Sequence, residues 1–251
     1  GGNVSAAHRI ALQLAAGERS GLERLWPGLP MDHWGLDEAA RAALLLAVAD
    51  LPADDFHVLA RQAYELGDSR EQESWLRALW LLPRSERFAD EAIDACRTNI
   101  KPLFEAIACE NPYPSRYFPE LNFNQMVLKC LFMGIELSRI IGLEQRLNRD
   151  LSEMADDYAS EREAAGRSVP ADIWLVLAPY AGAEALARVY RFGRDPEPRH
   201  RYHAAVGLGL RGDPAQRPRM EDLLKQERDP KVISALQASL TRIAAREGNA
   251  G

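Results

Sequence analysis

Basic residues are in deficit in this sequence, and cysteine, long apolar runs and alternating β-branched stretches are scarce or missing. The 251 residues carry 31 Lys and Arg against 37 Asp and Glu, a formal net charge of −6. Nonspecific nucleic-acid binding needs an excess of basic side chains facing phosphates, so no nucleic-acid partner is expected. The 3 cysteines are Cys96, Cys109 and Cys130. None forms a CxxC pair, and no His stands near them at zinc-ligand spacing. Each lies in an apolar helical run, which suits a small buried hydrophobe in a reducing compartment. No segment approaches the roughly 18 uninterrupted apolar residues of a membrane helix. The start shows no basic-then-apolar leader. A cytoplasmic protein is expected, with a mature periplasmic form as the open alternative. GxSxG, HExxH, P-loop and GxGxxG patterns are all missing. Adjacent carboxylates such as Asp156-Asp157 diverge on a helix. No catalytic residue, metal site or cofactor is therefore expected.

What is present is helical periodicity in an ordinary globular composition, 47% hydrophobic and 27% charged. Ile10, Leu14, Leu22 and Leu25 suggest an amphipathic opening, which the Pro and Gly of Trp26 to Gly35 interrupt. Helices are expected from Asp37 to Val48, from Asp54 or Asp55 to Leu66, and from Glu71 to Leu82. The last of these has Trp75, Leu79 and Leu82 on one side. Ser85 fits the N-cap of a helix running to about Ala108. The proline-rich segment Glu110 to Glu120 reads as a stiff loop. A helix from about Leu121 to Phe132 follows. Further helices cover Leu137 to Ile141 and Arg149 to Ala165, and another begins near Pro170. The fold class is all-α.

The final third repeats itself. Asp195-Pro196 and Asp229-Pro230 stand 34 residues apart, and each precedes an alanine-rich helical stretch. Asp caps a helix, Pro suits its first turn, and small residues permit close helix contact. The pattern is similar to HEAT-like repeats. The expected architecture is a right-handed α-solenoid of antiparallel helix pairs forming one domain over 1–251. Its sections are helix pairs at 36–82, a central motif at 83–177 and repeats at 183–247. Arg201 and Asp213 occupy positions suited to polar links between neighbouring repeats.

The segment Arg97 to Phe132 is unusually dense in polar and aromatic groups among apolar residues. Burying so many polar groups costs free energy unless each finds a partner. Continuous helix would place Arg97, Lys101 and Glu105 on one face. Gln125 and Lys129 share a polar face, while Asn124 falls nearer the apolar side. A buried Asn needs partners for its acceptor and both donors, and the backbone of the proline-rich loop is one source. Tyr113, between two prolines, and Tyr117 fit either a partner surface or a loop packed on its own neighbours. The candidate binding residues are Arg97, Asn99, Glu105, Asn111, Tyr113, Tyr117, Asn124, Gln125 and Lys129. Of the histidines His8, His33, His57, His200 and His203, the last two are three apart and are expected on a solvated face.

The stretches RTNIKPLFEAIACENPYP, RYFPELNFNQMVLK and IIGLEQRLNRDLSEMADDYASEREAAGR resemble the EboA family. The resemblance spans about Leu82 to Leu177 and extends more weakly to the rest. It implies a protein from a small bacterial gene cluster that also encodes a UbiA-type prenyltransferase and a TatD-like hydrolase. That cluster is associated with assembly or export of secondary metabolites, including a prenylated precursor. The resemblance supplies no catalytic residue. The expected function is a noncatalytic binding or scaffold role. Its occupant would be another protein of the cluster or a prenylated small molecule, with membrane association only indirect, through a prenyltransferase partner. Two alternatives stay open. One is an enzyme with Glu105 and Lys129 as acid and base in a pocket closed by Tyr113; the other is a purely structural central motif.

Overall fold

The structure, a computed structural model, describes residues 33–248. Expectations for His8, Ile10, Leu14, Leu22, Leu25 and positions 26–32 lie outside the described residues. Among the described residues there are 13 α-helices and no β-strand, so the chain is all-α. It divides into two compact units, Gly1–Phe123 with Arg139–Ile141, and Asn124–Ser138 with Gly142–Gly251.

In the first unit, helices α1 (Leu36–Leu46), α2 (Ala53–Leu66) and α3 (Ser69–Ala78) are followed by α4 (Ala89–Ala95), α5 (Lys101–Ala108) and α6 (Tyr113–Tyr117). Asp68 starts α3 by accepting from the backbone of Arg70 and Glu71, and Glu71 accepts from Asp68 N–H in return. Helix α3 is central to the unit and packs against α1, α2 and α5. Its Trp75 and Leu76 are buried, as are Leu79 and Leu82 just beyond it. One buried ion pair joins α1 to α3: Arg77 lies 3.0 Å from Glu38, with only 8% and 2% of their side chains exposed. Glu38 also accepts from Gly35 N–H at 2.6 Å, which closes the start of α1. Removing one partner of a pair this deep would leave the other as a buried charge without compensation, which is strongly destabilising.

Two expectations fail in this unit. The helix expected from Ser85 to Ala108 is a 3-10 turn at Ser85–Phe88, then α4, then α5 after a break. Pro102 is the cause. In a continuous helix its ring would strike the carbonyl four residues back and its missing donor would leave that carbonyl unpaired, whereas in the first turn of α5 it costs nothing. The segment Glu110 to Glu120 is not wholly loop either. Pro112 and Pro114 flank the start of a single helical turn, α6.

The second unit holds most of α7 (Glu120–Met133), then α8 (Arg149–Ala164), α9 (Trp174–Leu177), α10 (Ala183–Phe192), α11 (Pro198–Arg211), α12 (Arg217–Gln226) and α13 (Pro230–Gly248). Asp229 caps α13 as its sequence suggests, accepting from Lys231 and Val232 N–H. The matching Asp195 does not cap α11, because Glu197 is the N-cap and Pro198, not Pro196, occupies the first turn. Arg201 instead donates to the carbonyls of Asp195 and Pro196 and grips Glu227 with two bonds of 2.7 and 2.9 Å. The Arg201 guanidinium holds the Glu227 carboxyl down at about 2. Asp213 caps the turn that leads into α12 and accepts from Gln216.

Helix α11 is packed on two sides, and its glycines set how closely. A Cβ on Gly207 would lie 2.2 Å from the Trp174 carbonyl oxygen of α9, and one on Gly209 would lie 2.3 Å from Ser239 Oγ of α13. Ser239 in turn donates to the Ala205 carbonyl at 2.9 Å. Gly207→Ala is therefore expected to cost about 2–4 kcal/mol, because the obstacle is backbone and cannot rotate away. Gly193→Ala, whose Cβ would meet a movable Leu223 methyl at 3.2 Å and come no closer than 3.3 Å to backbone, at the Tyr190 carbonyl, should cost no more than about 1 kcal/mol. Urea unfolding of the two variants measures the difference.

Candidate functional site

Six of the residues singled out in the central segment belong to the first unit: Arg97, Asn99, Glu105, Asn111, Tyr113 and Tyr117. The structure does not align Arg97 with Lys101 and Glu105. Arg97 stands exposed in the turn after α4 and donates to Asp94 at 2.6 Å. Asn99 is exposed in the same connection. Glu105, half-buried on α5, meets Arg139 at 3.3 Å and Lys101 at 3.7 Å. Arg139 also holds Glu110 with two bonds, 2.7 and 2.9 Å, and its carbonyl accepts from Glu110 N–H. These bonds keep Glu110 in the left-handed region, φ 49°, and hydrogen bonding to Glu110 raises the pKa of Arg139.

Asn111, Tyr113 and Tyr117 do come together. Asn111 is 2% exposed, and its amide donates to the carbonyls of Leu76 at 2.9 Å and Ala106 at 3.0 Å. Its oxygen accepts from Tyr113 N–H. Leu76 and Ala106 lie in the last turns of α3 and α5, where carbonyls are short of helical donors, although the Leu76 carbonyl also accepts from Leu79 N–H. One side chain thus closes the ends of two helices and begins a third. Tyr113 is fully buried, and its hydroxyl donates to the Ser85 carbonyl at 2.6 Å. Burial raises its pKa. Tyr117 accepts from Ser85 Oγ, with its ring 4.8 Å from that of Tyr113.

Asn124, Gln125 and Lys129 lie on α7 in the second unit. Asn124 is buried, but its partner is not the proline-rich loop. It exchanges two amide bonds, 3.1 and 3.0 Å, with Asn148. Asn148 in turn caps α8 by accepting from Leu151 N–H at 2.7 Å. Gln125 is exposed and Lys129 half-buried.

A concavity of the second unit lies elsewhere, between α11 and α13. It is a groove of about 950 Å³. One wall is Arg199, Tyr202, Val206 and Gly209; the other is Val232, Ala235, Ala238 and Arg242. Steps of three and four along each helix put these side chains in two facing stripes. Most of the lining is small or apolar, with charge at Arg199, Asp229, Lys231 and Arg242. Sequence reasoning passed over these positions because no residue among them is chemically unusual. The usable signal was the pair of matched stripes.

Below Arg199 lies a polar cluster. The buried Asp172 accepts from Leu137 N–H at 2.9 Å and from Arg199 at 3.1 Å, and Arg199 also reaches Glu136 at 3.0 Å. His200 and His203 are not on a solvated face. Contacts of α11 with α9 and its flanking turns turn both rings inward. His200 accepts from Trp174 Nε1 at 2.9 Å and packs beside Phe192. His203 Nδ1 lies 2.9 Å from the Arg199 carbonyl, which can only accept, so that nitrogen carries the proton. Its Nε2 sits 3.7 Å from Asp172. Burial lowers the His203 pKa, against the opposing pull of Asp172. Among the described residues no group of His, Cys, Asp and Glu is arranged to hold a metal ion, and no helix is long and apolar enough to cross a membrane.

Asn111→Ala should destabilise the protein by about 2–4 kcal/mol in urea unfolding, because it takes the amide donor from the buried Ala106 carbonyl and the acceptor from Tyr113 N–H, and leaves the Leu76 carbonyl only its bond from Leu79 N–H. Asn111→Asp should be no better, since it sets a carboxylate against the same carbonyls. His203 gives a pH signature. The folded chain holds it neutral more strongly than the unfolded chain does, so acid favours unfolding. Its contribution is complete above about pH 6.5, the unfolded value, and declines as the pH falls below it. A His203→Gln variant should show a shallower loss of melting temperature on acidification.

Residues 5–178 match the family described as metabolite traffic protein EboA. The match takes in the whole of Arg97 to Phe132 and ends at α9, before the helices that form the groove. No curated protein and no solved structure matches the chain. With well over half of its residues inside that match, central segment included, the chain belongs to the EboA family.

Proposed function

We propose that this chain is a noncatalytic binding protein of metabolite traffic, and that its ligand sits in the groove between α11 and α13. The observation that carries the reading is the groove itself. At about 950 Å³ it matches the upper range of cavities that hold small organic molecules. Its small side chains leave room, and the few charged groups at Arg199, Lys231 and Arg242 suffice to orient a ligand. The family's description as a metabolite traffic protein supports the general role. The finer reading is a scaffold for assembly or export of a secondary metabolite. Its occupant would be a prenylated precursor or another protein of the same cluster, it would work in the cytoplasm, and it would meet the membrane only through a prenyltransferase partner.

In this reading the central motif holds the fold and leaves ligand contact to the groove. Support comes from Asn111, whose donors and acceptor all serve backbone groups, and from Asn124, which orients the cap of α8. Glu105 already faces two cationic neighbours, Arg139 and Lys101, so its carboxylate is engaged within the fold.

Ala238 is exposed on the groove wall, so Ala238→Trp fills the groove without entering the core. Native mass spectrometry of protein isolated from producing cells should show a bound small molecule in the parent chain and its loss in Ala238→Trp, at unchanged melting temperature. An equal bound mass in both, or none in the parent, would remove the groove from consideration.

A further inference from the structure

We infer that the groove selects an amphipathic monoanion: a molecule with one carboxylate-like charge and an apolar body. This rests on the groove being the binding site and concerns which chemistry it takes. Charge decides the head. Three cations line the groove, but two of them are already answered. Arg199 bonds to Glu136 and Asp172, and Arg242 bonds to Glu144 at 2.9 Å. Among the described residues, Lys231 has no ion-pair partner. It stands in the first turn of α13, where the helix dipole adds positive potential. The donor inventory points the same way. Arg199 uses one terminal nitrogen of its guanidinium in its pairs, which leaves other N–H groups to accompany Lys231, whereas Arg242 stands about three turns farther along α13.

The limit to a single charge comes from Asp229. It lines the same groove and is committed to the N–H groups of Lys231 and Val232 as the cap of α13. Its negative charge opposes a second one on the ligand. The body of the ligand would lie along Tyr202, Val206, Ala235 and Ala238, the apolar stripes that run away from Lys231.

The test is titration of the isotope-labelled full chain, followed by nuclear magnetic resonance at mildly alkaline pH. The probes are octanoate, octanol, octylammonium, acetate and octyl phosphate, which is a dianion there. Octanoate should shift the resonances of Tyr202 and Ala235 and bind about tenfold more tightly than octanol or acetate. Octylammonium should be the weakest of the alkyl probes, and octyl phosphate no tighter than octanoate. Lys231 is exposed, so Lys231→Gln should fold normally; it should bring octanoate down to the octanol level and leave octanol unchanged. Equal binding of octanol and octanoate, with shifts in the groove, would overturn charge selection and leave the groove as a binding site. Tighter octyl phosphate would overturn the monoanion limit. If no probe shifts the groove resonances, the site itself falls.

Discussion

Short helices leave many backbone groups unpaired, and in this protein side-chain amides satisfy the critical ones. An α-helix has four carbonyls without internal partners at its end, whatever its length. In the first unit α5 has 8 residues and α6 has 5, so ends make up a large part of the backbone. Several of these ends are buried where water cannot serve them. Asn111 answers the carbonyls of Leu76 and Ala106 and the amide of Tyr113 together, which fixes the relation of α3, α5 and α6. The Asn124–Asn148 exchange does related work in the second unit by orienting the residue that caps α8. Polar density in the central segment of this EboA family member is therefore tied to the brevity of its helices.

This view separates the part of the chain that maintains shape from the part that offers space. The central residues are directed at backbone groups, and their side chains are largely occupied. The groove wall is the reverse. Val206, Ala235 and Ala238 carry no polar side-chain groups, and Lys231 extends a charge with no ion-pair partner among the described residues. Sites that recognise small molecules commonly combine a shaped apolar surface with a few placed polar groups.

Much of the fold was legible in the sequence where the signal is local. Periodicity identified the all-α class, and Asp229 marked a helix start that the structure shows. Pro102 was an equally local signal, and it explains why Arg97 does not share a helical face with Glu105. What was not legible depends on distant partners. Asn124 looked buried from its place on α7, yet its match at Asn148 is 24 residues away and no pattern announces it. His200 and His203 read as lying on a solvated face. Their burial follows from α9 and its turns lying against α11, which only the packed structure reveals. The groove escaped notice for a related reason: a concavity is a property of two helices together, and each stripe alone is ordinary.

The paired glycines of α11 give the groove two unlike walls. At Gly207 the helix already sits as close to α9 as backbone atoms permit, so α11 has nowhere to retreat. Across the groove, α13 is joined to α11 by a side-chain bond, Ser239 to the Ala205 carbonyl, and by the contact at Gly209. A bulky occupant therefore meets backbone contact behind one wall and side-chain ties behind the other. The groove is built like a vice with one fixed jaw and one tied jaw, the ties being Ser239 to the Ala205 carbonyl and, farther along, Arg246 to the Arg211 carbonyl.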